Sequence, residues 1–143
     1  MKENNRKKQG TIYEQQFVVE CLLHGLEPHP TIGDYSAHDL LVSNSSGKIY
    51  KVQVKGTACL LGDTPGRKKN STPRYRITAG SGGQKDILDC SKIDCLVCVI
   101  PGDIWYIIPC MKLKSAAVWF YPEVVNSKGY YEQFRGNWDF FLT

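Results

Sequence analysis

No apolar run in this chain approaches the roughly 20 residues of a bilayer-crossing helix, so no membrane span is expected. The opening stretch, Met1 to Gln9, is polar and basic, and no apolar segment with a small-residue cleavage site follows it. That pattern argues against secretion and predicts an intracellular, cytoplasmic protein. Histidine is scarce: His24, His29 and His38 lack the spacing of paired metal ligands and read as surface or packing residues. A single C-x2-C, Cys95 and Cys98, has no second pair to complete a zinc site. It lies in the apolar run Asp94-Cys-Leu-Val-Cys-Val-Ile100, where residues three apart on a strand face opposite ways. These two cysteines therefore read as buried small hydrophobes. Gly80-Ser-Gly-Gly83 lacks the Lys-Ser/Thr of a phosphate-binding P-loop and reads as a flexible joint.

What is present suits one domain. The chain has 143 residues and is 42% hydrophobic, enough for a single core, and no linker or internal repeat divides it. A formal charge of +4 decides little, but its placement is informative. Arg6, Lys7 and Lys8 cluster at the start, and Arg67, Lys68, Lys69, Arg74 and Arg76 fall close together. Such clusters suit a phosphate backbone. In a reducing compartment the six cysteines are expected to be free thiols.

Periodicity predicts a helix from Thr11 to Gly25, with Ile12, Phe17, Val18, Cys21 and Leu22 on its apolar stripe. Leu26 to Ile32 reads as an extended connection or short strand. Strands are predicted over Ala37 to Ser43 and Lys48 to Thr57, joined by the turn residues Asn44-Ser-Ser-Gly47. Cys59 to Pro73 reads as a long loop, Tyr75 to Thr78 as a strand and Gln84 to Cys90 as a short helix. Cys95 to Ile100 and Trp105 to Ile108 are predicted strands around the turn Pro101-Gly-Asp103, and Pro109 to Ala117 a helix. The aromatic remainder, 118–143, is expected to pack on the sheet or on another subunit. The order predicts a mixed α/β domain.

The chemistry lies on the predicted hairpin. In Tyr50-Lys-Val-Gln-Val-Lys-Gly-Thr57, Val52 and Val54 share one face, and Lys51, Gln53 and Lys55 the other. A five-residue loop, Asn44 to Lys48, would pair Ser43 with Ile49 and set Asp39 opposite Gln53, with Lys55 diagonal to it; a four-residue loop would shift that register by one. Glu14 sits on the apolar stripe of the first helix, where a carboxylate is costly without a partner. Two carboxylates, an amide oxygen and an amine at one place suit phosphodiester hydrolysis. Asp39 and Glu14 can hold Mg2+ (or Mn2+), Gln53 can add a neutral oxygen, and Lys55 can orient the attacking water or offset charge on the phosphate.

Asp39, a turn, then Gln53-Val-Lys55, with the helical acid Glu14, resembles the signature of the PD-(D/E)XK nuclease superfamily. His38 stands where the family often has Pro, and Gln53 where Glu or Asp is commonest, which lowers the charge of the site. Gly10-Thr-Ile-Tyr-Glu14, Asp39-Leu-Leu-Val42, Val52-Gln-Val-Lys-Gly-Thr57 and Trp105-Tyr-Ile-Ile-Pro109 extend the resemblance over roughly residues 10 to 110. The Gln-x-Lys form looks most like the branch of cyanobacterial homing endonucleases encoded in group I introns. The resemblance implies a restriction-endonuclease-like core, a central mixed β-sheet flanked by helices. It implies catalytic residues Glu14, Asp39, Gln53 and Lys55, and a metal set of Glu14, Asp39, Gln53 and Val54. It also implies an enzyme that cuts both strands of DNA as a dimer or as a tetramer of two dimers, and so works at the nucleoid. Holliday-junction resolvases and restriction-like enzymes share the core and are the competing reading; a non-catalytic DNA-binding protein is a further one. For DNA contact the candidates are Lys8, Arg67, Lys68, Lys69, Arg74 and Arg76, with 59–76 a loop or protruding hairpin whose Arg74 and Arg76 could read guanines.

Overall fold

The computed structural model describes residues 2–32, 38–62, 72–79, 87–124 and 129–143. Helix α1 spans Lys2–Leu23 and so begins nine residues earlier than the apolar periodicity predicted. Its first turns are polar, and Asn5 to Gln9 are exposed, which is why periodicity did not register them. The end is as expected: Gly25, at φ +75°, lets the Leu26 N–H reach the Cys21 carbonyl while the Gly25 N–H bonds to Leu22. Of the predicted apolar stripe, Phe17 and Cys21 are buried and Val18 packs beside them, whereas Ile12 and Leu22 are exposed.

Among the described residues eight strands follow: β1 Glu27–Pro30, β2 Leu40–Ser43, β3 Ile49–Gly56, β4 Leu60–Leu61, β5 Arg74–Thr78, β6 Cys95–Ile100, β7 Ile104–Pro109 and β8 Ala117–Phe120. They form a five-stranded sheet in the order β1-β2-β3-β6-β7 and a three-stranded sheet in the order β4-β5-β8. Among the described residues only β3 and β6 pair in parallel. A parallel pair needs a crossover, and here the crossover carries β4 and β5. The fold is mixed α/β of the restriction-endonuclease-like type, as expected.

The larger sheet has an apolar layer on each face. On one face Phe17 and Cys21 of α1 and the C-terminal Phe141 pack on Val42, Val52, Val54, Val97 and Ile107. On the other, Tyr75, Ile77, Val118 and Phe120 of the smaller sheet, with Tyr131 and Phe134, cover Leu96, Cys98, Ile100 and Tyr106. Strand β6 is buried along its whole length for this reason. Cys95 and Cys98 belong to opposite layers, as strand geometry required. Burial pushes both thiols upward, so they stay protonated. The C-terminal aromatics Tyr131, Phe134 and Phe141 are packing residues.

Several expectations are corrected. Cys90 and Cys110 are joined by a disulfide, with Cα atoms 5.6 Å apart; Cys21, Cys59, Cys95 and Cys98 are free. Ile87 to Cys90 is not helical; Leu88 instead inserts into the core. In place of a helix over Pro109 to Ala117 there is one 3-10 turn, Cys110–Lys112, and Ala117 opens β8. Two further 3-10 segments, Tyr130–Phe134 and Trp138–Leu142, lie within the aromatic C-terminal stretch. Residues Arg67, Lys68, Lys69 and Gly80 to Gly83 lie outside the described residues. No helix among the described residues is long and apolar enough to cross a membrane.

Candidate active site

The β2–β3 hairpin adopts the register that a five-residue loop dictates. Ser43 pairs with Ile49 and Leu40 with Val52. Asn44 sets the turn: its side-chain oxygen accepts from the backbone N–H groups of Ser46 and Lys48. Asp39 stands next to Leu40, outside the paired residues of β2, and its N–H donates to the Val52 carbonyl at 2.9 Å. Just past the end of β2, the Asp39 carboxylate turns back and accepts the Val54 N–H at 2.9 Å. The N–H and C=O of a strand residue project to the same side, so the Val54 carbonyl also faces the side where β2 has ended.

Alternation along β3 then divides the strand. Tyr50, Val52 and Val54 enter the core beneath α1. Gln53 and Lys55 face the opposite way, beyond the edge of the apolar layer under the smaller sheet, which takes no residue from β3. The result is a cavity of about 900 Å³. Glu14, Asp39, Gln53, Val54 and Lys55 all line it, so the predicted set is brought together. Glu14 is half-buried, on a helical face that also presents Arg6, Gly10 and Tyr13 to the cavity. Of the basic cluster at the start, Arg6 is a lining residue, whereas Lys8 is exposed and is not. Arg76 and Thr78 of β5 close the far side.

Sequence reasoning missed the contact that seats the helix. A Cβ on Gly56 would lie 2.6 Å from the Tyr13 ring, so only glycine admits that ring against the strand. Tyr13 precedes Glu14 and Gly56 follows Lys55; the contact therefore docks the helix beside the two motif residues. The signal was a glycine within a predicted strand, which marks close backbone approach.

The donor set fits a hard divalent cation. Among the described residues no group of three or more His, Cys, Asp or Glu side chains converges. The carboxylates that line the cavity are those of Glu14 and Asp39, with the Gln53 amide on the same wall. The Gln53 Oε1 is buried and has no hydrogen-bond partner among the described residues. A buried, unsatisfied acceptor is costly, and a cation at this position satisfies it. Mg2+ takes few protein oxygens and keeps several waters, which suits so small a set.

Arg74 and Arg76 alternate on one face of β5, as expected, but not on a free arm. Strands β4 and β5 do form an antiparallel hairpin, with Leu60 opposite Tyr75. Strand β8 pairs along the other edge of β5, and the inner face, Tyr75 and Ile77, is buried in the core. The two arginines sit on the outer face, each stacked on Trp119 of β8.

No family model matches the chain, and no curated protein matches it by sequence. Two solved structures are similar in fold. The bacterial homing endonuclease I-Ssp6803I superposes with a TM-score of 0.67 at 16% identity, over 95% of this chain and 92% of that one. Hjc, a Holliday junction resolvase from Archaeoglobus fulgidus, superposes with a TM-score of 0.51 at 12% identity, over 87% of this chain and 88% of its own. At these identities the shared property is the fold, mixed α/β of the restriction-endonuclease-like type.

Proposed function

We propose that this chain is a divalent-metal-dependent DNA endonuclease, and that it is a site-specific enzyme of the homing type. The observation that carries the reading is one cavity lined by Glu14, Asp39, Gln53 and Lys55, in which the Gln53 oxygen is buried without a partner among the described residues. Glu14, Asp39, Gln53 and the Val54 carbonyl would hold Mg2+ or Mn2+. When bound, such an ion polarises a phosphoryl oxygen and acidifies a water. The Val54 N–H holds the Asp39 carboxylate in place. Lys55, on the same face as Gln53, orients the attacking water or offsets charge on the phosphate. Arg6 and Arg76 border the cavity on two sides and neutralise neighbouring phosphates. One such site cuts one strand, so a symmetric oligomer, a dimer or two dimers, would cut both.

The higher structural similarity and fuller coverage with a homing endonuclease support that substrate class. The similarity to a junction resolvase favours a second reading, the same chemistry on branched DNA. A cleavage assay with Mg2+ on a duplex library and a four-way junction, with Asp39→Ala as control, separates them. Cutting at one preferred duplex site, lost in the variant, is the expected outcome. Cutting confined to the junction moves the protein to the resolvase class. No cutting of either DNA with Mg2+ or Mn2+ rejects the nuclease reading.

A further inference from the structure

Trp119 lies directly across from Arg76 in the β5–β8 pair, on the outer face of the smaller sheet. The Arg74 guanidinium is 5.0 Å and the Arg76 guanidinium 5.7 Å from the centre of its ring. Two like charges are thus gathered on one half-buried indole, which attracts both through its negative face. A guanidinium carries five N–H donors, so contact with the ring leaves donors over for a phosphate. One Arg74 nitrogen is spent on the Thr72 carbonyl, which anchors that side chain further. Arg76 also lines the cavity that holds Asp39 and Lys55, so the stacked pair continues directly from the candidate active site. The face is the side of a three-stranded sheet whose other side is buried in the core, not a ribbon slender enough to enter a major groove.

We infer that Arg74, Trp119 and Arg76 form a prearranged clamp for the DNA phosphate backbone beside the cut, in which Trp119 is a positioning residue. The inference rests on the nuclease reading above. It assigns Arg74 and Arg76 to backbone contact rather than to guanine recognition. Trp119 adds no charge; it holds the two guanidinium groups where successive phosphates meet them, lowering the ordering cost of binding.

The test is binding of duplex DNA of several sequences, without cleavage, in the Asp39→Ala background across a range of salt. Replacing Arg74 and Arg76 together by Gln removes two phosphate contacts and should reduce the salt slope by about two. Trp119→Ala should weaken binding about three- to tenfold on every sequence, the worth of one or two cation–π contacts, with the salt slope unchanged. Trp119→Phe keeps a stacking face and should recover part of that loss, and it keeps the test open if the alanine variant folds poorly. Equal affinity in all the Trp119 variants overturns the positioning role. A loss confined to sequences with guanine at one position overturns the backbone assignment. If the chain binds no duplex at all, the nuclease reading falls together with this one.

Discussion

The Asp39 carboxylate accepts a hydrogen bond from the Val54 N–H at 2.9 Å, so the acid of the candidate site also caps a backbone group that β2 no longer reaches. One residue thereby has a structural and a chemical role, and two substitutions separate them. Asp39→Asn keeps an acceptor for Val54 but loses the charge, whereas Asp39→Ala loses both. Both should abolish cleavage. Only the alanine should also lower stability, by about 1–3 kcal/mol for a half-buried N–H left unpaired. Chemical denaturation alongside a cleavage assay checks this; cleavage by the asparagine variant at the native rate would remove Asp39 from the site.

Gln53 leads to a prediction about metal. Its Oε1 is buried without a partner among the described residues, so Gln53→Glu places a full negative charge in that position. Without divalent cation the variant should be less stable than the native chain, because an unpaired buried carboxylate is costly. Adding Mg2+ should raise its melting temperature more than it raises that of the native protein, by linkage of binding to folding; a ligand at a hundred times its Kd contributes about 2.7 kcal/mol. Equal shifts in the two proteins would mean that Gln53 faces no metal.

Gly56→Ala tests the seating of α1. The new methyl would meet the Tyr13 ring at 2.6 Å, too close to be absorbed without movement of the ring or the helix. A cost of about 1–3 kcal/mol is expected, typical of overpacking. Because Glu14 is the next residue in the helix, cleavage should fall too. Tyr13→Ala in the same chain should return part of the stability lost to Gly56→Ala, giving a non-zero coupling in a double-mutant cycle. Strict additivity would show that the two residues do not meet.

Alkaline pH should destabilise the fold from a definite point. Burial, with the neighbouring Glu20 carboxylate, pushes the Cys21 thiol up from 9.0 to about 12. Burial raises Cys95 and Cys98 in the same direction, and burial with the Glu132 hydrogen bond raises Tyr106. The folded state therefore keeps protons that the unfolded chain releases. Their contribution is complete below pH 9.0 and is lost as the pH rises toward the folded values. The denaturant midpoint should accordingly fall above pH 9.0, and Cys21→Ala should fall less steeply. An identical decline in that variant would acquit Cys21.

Much of the candidate site was legible before the structure. The hairpin register followed from the length of the Asn44 to Lys48 loop, which set Ser43 opposite Ile49 and Leu40 opposite Val52, with Asp39 next in the chain. Strand alternation separated Val52 and Val54 from Gln53 and Lys55, because side chains of a strand alternate whatever surrounds it. The uninterrupted apolar run Cys95 to Ile100 likewise announced a strand buried on both faces.

The remainder depended on contacts distant in sequence. The first turns of α1 carry no apolar pattern, so nothing local marked them as helical or brought Arg6 to the cavity. The disulfide joins Cys90 to Cys110 across the whole of β6 and β7, and pairing among six cysteines is not written in their spacing. The stretch after Pro109 yielded a strand because β5 offered an edge for Ala117 to Phe120, and tertiary pairing overrides local preference. That same pairing set Trp119 beneath Arg74 and Arg76. Local periodicity determined which residues face together on each strand; only the packing of the two sheets decided what those faces meet.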